Sequence, residues 1–219
     1  MEQVGSSRWV GLLLLIGVVA FSIATIIAEP FEQATPEGLY TAIASNLSLY
    51  RTVNILSTIG MALLLIGFFL LALRVRSASG SLFVTFIGLF SAALIFWIAE
   101  IIARLTSTSA SAQAAGAGLA TRSGIGIGFD PLFLGFFAAA LAGAALLVWG
   151  LGKAGVLSFR TAAISSLIVL ASGIVAAIFY PWVGGVERVM FYPLFLVILP
   201  LAIFFLIRRR QPAVVMGGS

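Results

Sequence analysis

Cysteine and histidine are both absent from this chain, and the two absences exclude several whole classes of chemistry. Without thiols there is no disulfide scaffold, no thiolate metal site and no cysteine nucleophile. Without imidazole there is no His-ligated haem, none of the usual zinc sites and no Ser–His catalytic pair. Charge is scarce as well: 9% of the 219 residues are charged against 62% hydrophobic, with a mean hydropathy of +1.20. That leaves too little polar surface to cover a water-soluble globule, so the composition is that of an integral membrane protein whose first partner is the lipid bilayer. A net charge of +5 and a pI near 10.5 would point to nucleic acid in a soluble protein. Here the basic residues sit between apolar runs and act as orientation signals, so neither a nucleic-acid partner nor a cofactor is expected.

What the chain does have is long apolar stretches. About 20 residues at 1.5 Å each cross roughly 30 Å of hydrocarbon, and six runs approach that size: 9–28, 53–73, 82–103, 132–151, 161–183 and 189–207. They are apolar on every face rather than alternating, which predicts an all-α, six-span bundle and not a barrel. The first run follows Arg8 and is too long for a cleaved secretory signal, so it reads as a retained anchor. With the N-terminus inside, Arg8, Arg74, Arg76, Lys153, Arg160, Arg208, Arg209 and Arg210 are cytoplasmic, and only Arg51, Arg104, Arg122 and Arg188 fall outside. Both termini are therefore expected in the cytoplasm.

The first outer loop carries Thr35-Pro36-Glu37, a helix start with a cap, a proline at the first helical position and an acid in the first turn. Leu39, Ile43, Leu47 and Tyr50 then recur at helical spacing, which predicts a short helix in the outer interface running towards the second span. The second outer loop is rich in Ser, Thr, Ala and Gly, has nothing apolar enough to pack by itself, and reads as a mobile loop. Its Gly124-Ile-Gly126-Ile-Gly128 tract has neither the spacing nor the preceding strand of a nucleotide fingerprint. Short inside loops predict that the second span packs on the third and the fourth on the fifth. Small residues four apart, Ala20/Ala24/Ala28, Gly135/Ala139/Gly143 and Gly173/Ala177, mark the expected helix contacts.

One acid falls inside an apolar run. Glu100 precedes Arg104 by four residues, the orientation that favours an ion pair on one helix face. It lies roughly 12 Å from the centre of the third span, shallow enough to reach the interface, so it reads first as an anchor and second as a functional acid. Arg51, Asn54, Asp130, Tyr180 and Glu187 fall at a similar depth. Two readings stand: these residues line a shared cavity open to the outside, or they are the ordinary polar ends of separate spans. On the inner side, Arg74, Arg76, Arg160, Arg208, Arg209 and Arg210 are candidate contacts for anionic lipid head groups, or a simple stop-transfer cluster.

The segment Leu39-Tyr-Thr-Ala-Ile-Ala-Ser-Asn46, the second span closing on Leu73-Arg-Val-Arg76 and the turn Gly150-Leu-Gly-Lys-Ala-Gly-Val-Leu-Ser158 together resemble the prokaryotic six-span proteins of domain-of-unknown-function family 4386. The resemblance implies a multi-pass protein of a prokaryotic cytoplasmic membrane and carries no activity or catalytic residue with it. From the residues themselves three functions are open. The first is a non-catalytic structural or accessory subunit working with other membrane subunits or with itself. The second is a small transporter whose two three-span halves have inverted orientation. The third is a lipid-modifying enzyme using Glu100, disfavoured because an acid paired to arginine is a poor general base.

Overall fold

The computed structural model describes residues 7–28, 31, 36–108, 110, 131–179 and 186–207. Among them there is no strand. The helices are α1 (Ser7–Ile27), α2 (Pro36–Ser45), α3 (Leu47–Val75), α4 (Gly80–Ala103), α5 (Pro131–Lys153), α6 (Phe159–Phe179) and α7 (Val186–Ile207), with a π-helical turn, Arg104–Thr108, continuing α4. Four stretches are long and apolar enough to cross a membrane: Arg8–Ile27, Leu47–Val75, Gly80–Thr106 and Leu132–Lys153. The apolar parts of α6 and α7 that are fully described, Phe159–Val175 and Val197–Ile207, are shorter. α3 begins earlier than the apolar run that predicts it, because its first turns carry Ser48, Arg51 and Thr52. At 29 residues it is about 43 Å long, more than hydrocarbon thickness requires.

α1 packs most closely on α3 and on α7, α4 on α5, and α5 on α6, with lesser contacts of α6 with α7 and of α3 with α4 and α5. First and last helices are thus neighbours. The expected pairing of α5 with α6 is present, but the short loop between α3 and α4 does not make them main partners. The reason lies in which residues let backbones approach. A Cβ on Gly60 would lie 2.8 Å from the Phe21 nitrogen and 3.0 Å from the Gly17 carbonyl, so α1 and α3 meet backbone to backbone. α4 instead sets rings into notches on α5: a Cβ on Gly143 would lie 2.8 Å from Phe90, one on Gly135 2.9 Å from Phe96, and one on Gly150 2.9 Å from Phe86. Of the small-residue faces read from spacing, Gly135 and Gly143 are such notches, and Gly173 abuts Leu141. Of Ala20, Ala24 and Ala28 only Ala24 is buried, and the close contact of α1 with α3 is made through Gly17.

The buried positions of α4 are Phe86, Phe90, Ala93, Trp97, Glu100 and Ile101, a stripe spaced four and three residues apart. Its opposite face, Leu94, Ile95, Ile98 and Ile102, is exposed. α1 behaves alike, with Val10, Leu14, Val18 and Phe21 inward and Ile16, Val19, Ile23 and Ile26 outward. On α4 rings line the inward face and branched aliphatics the outward one, while elsewhere Leu14, Leu64, Leu71, Leu147 and Leu151 fill the interior alongside the rings. Hydroxyl groups within the helices bond to their own backbones: Thr25 to Phe21, Ser57 and Thr58 to Asn54, and Thr85 to Ser81. That is how such residues are carried through a medium without water.

α2 starts at Pro36, and the helical register that runs on from Leu39 to Tyr50 is broken at Asn46, whose backbone leaves the helical region (φ −138°, ψ 47°). Ile43 and Tyr50 are buried with Ala24, Phe31 and Val53 in a small second cluster, the rings of Phe31 and Tyr50 meeting edge to face at 5.3 Å. Between α5 and α6 the chain turns tightly. Gly155 adopts φ +68° and the Val156 amide donates to the Leu151 carbonyl at 2.9 Å, the glycine-ended helix stop in which a left-handed residue satisfies the last carbonyls. Ser158 then caps α6, its hydroxyl accepting from the Thr161 amide at 3.1 Å.

Candidate functional site

Glu100 continues the inward stripe of α4, and its position in that stripe decides its environment. It is 2% exposed. The expectation that it would reach outwards as an interfacial anchor does not hold, because the stripe running through Phe90, Ala93 and Trp97 turns it into the protein rather than towards lipid. Arg104, one turn on, donates from Nε to Glu100 Oε1, forming the expected ion pair, while its own side chain remains 29% exposed. The backbone supports this contact: the Arg104 amide is shared between the carbonyls of Glu100 and Ile101, and the π-helical turn begins there. A charge this deep is costly to bury unless it is paired and hydrogen-bonded, as Glu100 is with Arg104.

Beneath Glu100 lies an aromatic knot that joins four helices. Trp97 packs against Phe136 of α5 at 4.8 Å and Phe21 of α1 at 6.0 Å between ring centres, and Phe21 meets Phe195 of α7 at 5.9 Å. Phe133 extends it on α5, 6.3 Å from both Phe136 and Phe137. Trp97 Nε1 is buried and has no hydrogen-bond acceptor among the described residues. The pair therefore sits over a layer of packed rings.

Asn54 is also buried, 3% exposed, but its Nδ2 donates to the Tyr50 carbonyl of its own helix at 2.8 Å. Since Phe21 touches both Gly60 and Trp97, Asn54 lies about one helical turn nearer than Glu100 to the end of the bundle that holds Arg104. α3 contacts the π-helical turn, so both belong to the same end of the molecule. Arg51 is exposed. Asp130 and Tyr180 lie outside the described residues, as do the glycine tract, Arg122 and the side chain of Glu187. Glu100 and Arg104 are thus brought together and Asn54 is placed above them. Among the described residues no group of three or more acidic side chains gathers.

At the other end, the Arg74 guanidinium lies over the Phe205 ring at 5.1 Å and that of Arg76 over Phe83 at 5.6 Å. Such contacts hold cations against the bundle while leaving their outer side open. Arg160 is exposed, and Arg208, Arg209 and Arg210 lie outside the described residues. Two buried polar groups escape notice from sequence alone. Ser166 donates to the Ala145 carbonyl at 2.8 Å, an interhelical bond signalled only by a serine pair within an apolar helix. Trp97 is signalled by its place three residues before Glu100 on one stripe.

Fold and site define an all-helical protein with several membrane-length helices and a buried ion pair near one end. Comparison of the chain with protein-family models, with curated proteins and with solved structures yields no match.

Proposed function

We propose that this chain is a six-span protein of a prokaryotic cytoplasmic membrane, both termini inside, that acts as a non-catalytic structural or accessory subunit, with other membrane subunits or with copies of itself. In this reading α2 lies in the outer interface, and the six spans are those that the resemblance to the six-span family implies. The observation that carries it is where the interior polar groups spend their bonds. Glu100 is held by Arg104 of the same helix, Asn54 by its own backbone and Ser166 by a neighbouring helix. Bonds made within the chain in this way favour a structural role for these three groups, although the buried Trp97 Nε1 has no acceptor among the described residues. Cross-linking in native membranes followed by pull-down tests it: a defined cross-linked partner or a ladder of multimers is expected, and a chain that cross-links to nothing overturns it.

A second reading, a small transporter working through the outer end, is favoured by one observation, the burial of Glu100 at 2% exposure. Ionisable groups this deep are expensive and commonly mark a pathway. Substrate-dependent flux in proteoliposomes that Glu100→Gln abolishes would establish it. Flux indifferent to that change would remove it.

A further inference from the structure

We propose that the outward face of the α5–α6 hairpin is a binding groove for one phospholipid with an anionic head group, its acyl chain between the helices and its phosphate between Lys153 and Arg160. The groove is an open apolar cavity of about 370 Å³ whose walls include Ala142, Ala145 and Trp149 on α5 and Ala163, Ser166 and Leu170 on α6. From Ala142 to Trp149 it runs about 10 Å along the helix. Small side chains make the depression. The Ser166 hydroxyl on its wall donates to Ala145, so it offers a hydrocarbon chain no unsatisfied donor.

The cations follow from the same helical registers. Lys153 lies four residues beyond Trp149, and Arg160 three residues before Ala163, so each continues one wall of the groove at its mouth. The glycine-ended stop at Gly155 and the Ser158 cap hold the two helix ends side by side, and Trp149 and Phe159 close the corner with ring centres 4.9 Å apart. Both cations are exposed, and neither has an ion-pair partner among the described residues. An apolar trough with two free cations at one end matches an amphiphile with a negative head. A second copy of the chain fits less well: a two-fold axis normal to the membrane would set Lys153 and Arg160 of both copies against each other at one depth. The inference holds whether or not the chain assembles with others, since it concerns one hairpin.

Trp149 reports on occupancy directly. Purified protein in vesicles would be titrated with phosphatidylglycerol or phosphatidylcholine brominated on the acyl chain, and the Trp149 signal taken as the difference between the full chain and Trp149→Phe. Two cations at a membrane surface give an expected preference of about 30-fold for the anionic lipid, from about 1 kcal/mol each. Lys153→Gln with Arg160→Gln should merge the two quenching curves. Ala163→Leu, which fills the trough, should protect Trp149 from both lipids. Equal curves in the unaltered protein, a preference that survives the double change, or a Trp149 that neither lipid reaches would each overturn the proposal, the last in favour of a second protein chain on this face.

Discussion

Replacing Arg104 by methionine while leaving Glu100 in place removes the charge that accompanies a carboxylate 2% exposed to its surroundings. Breaking a buried pair from one side costs about 3–5 kcal/mol. The Arg104 side chain is 29% exposed, so its contribution is partly screened and the lower end, about 3 kcal/mol, is the better figure. That is roughly two decades in the folded-to-unfolded ratio. Glu100→Gln retains the shape and one acceptor for Arg104 but gives up the charge, for a loss of about 1–2 kcal/mol. The double variant Glu100→Leu with Arg104→Leu removes both charges, and replacing such a pair with apolar residues of similar volume is often neutral or stabilising. The order of stability should be double variant, then Glu100→Gln, then Arg104→Met. Equilibrium unfolding in mixed micelles, followed by circular dichroism, reads that order. An Arg104→Met variant no less stable than the double variant would refute the structural role assigned to the pair.

Other consequences of the packing are equally open to measurement. Gly60→Ala drives a methyl against the backbone of α1 and should cost about 1–3 kcal/mol, whereas Gly88→Ala, where a Cβ meets nothing within 4 Å, should be neutral or better in the same assay. Ser166→Ala should lose about 0.6 kcal/mol, the usual worth of an interhelical hydrogen bond in lipid, and a loss above about 2 kcal/mol would show that the Ala145 contact does more than join two helices. Because the chain has no cysteine, single substitutions report topology against a silent background. Ser79→Cys and Ala154→Cys should be shielded from a membrane-impermeant maleimide in intact cells, and Ser45→Cys labelled; the reverse pattern would invert the proposed orientation.

Hydropathy located the helices well, since a span must be apolar over its length whatever lies beside it. It does not reveal their rotation, because lipid and protein interior are both apolar. Glu100 shows the consequence: its place towards one end of an apolar run is legible from the sequence, but its inward direction depends on the phase of Phe86, Phe90, Ala93 and Trp97. The pairing of α1 with α3 was hidden for a related reason. Gly17 and Gly60 are far apart in sequence and belong to no small-residue repeat, yet they are where the two backbones meet. At Asn46 spacing misled in the other direction. Leu39 to Tyr50 keep helical intervals, but the Asn46 side chain bonds to Ser45 Oγ at 3.3 Å while its backbone leaves the helix. Only their similar distance from the span ends links Arg51 and Asn54 with Glu100 in the sequence, and packing separates them: Arg51 is exposed and Asn54 is tied to Tyr50 of its own helix.

The most direct test of a subunit role is native mass spectrometry of the protein extracted from its own membrane in mild detergent. A species of defined stoichiometry, holding other membrane proteins or further copies of this chain, is the expected result. A single chain that carries only a bound solute, with Glu100→Gln releasing that solute, would contradict it and make the outer end a transport site.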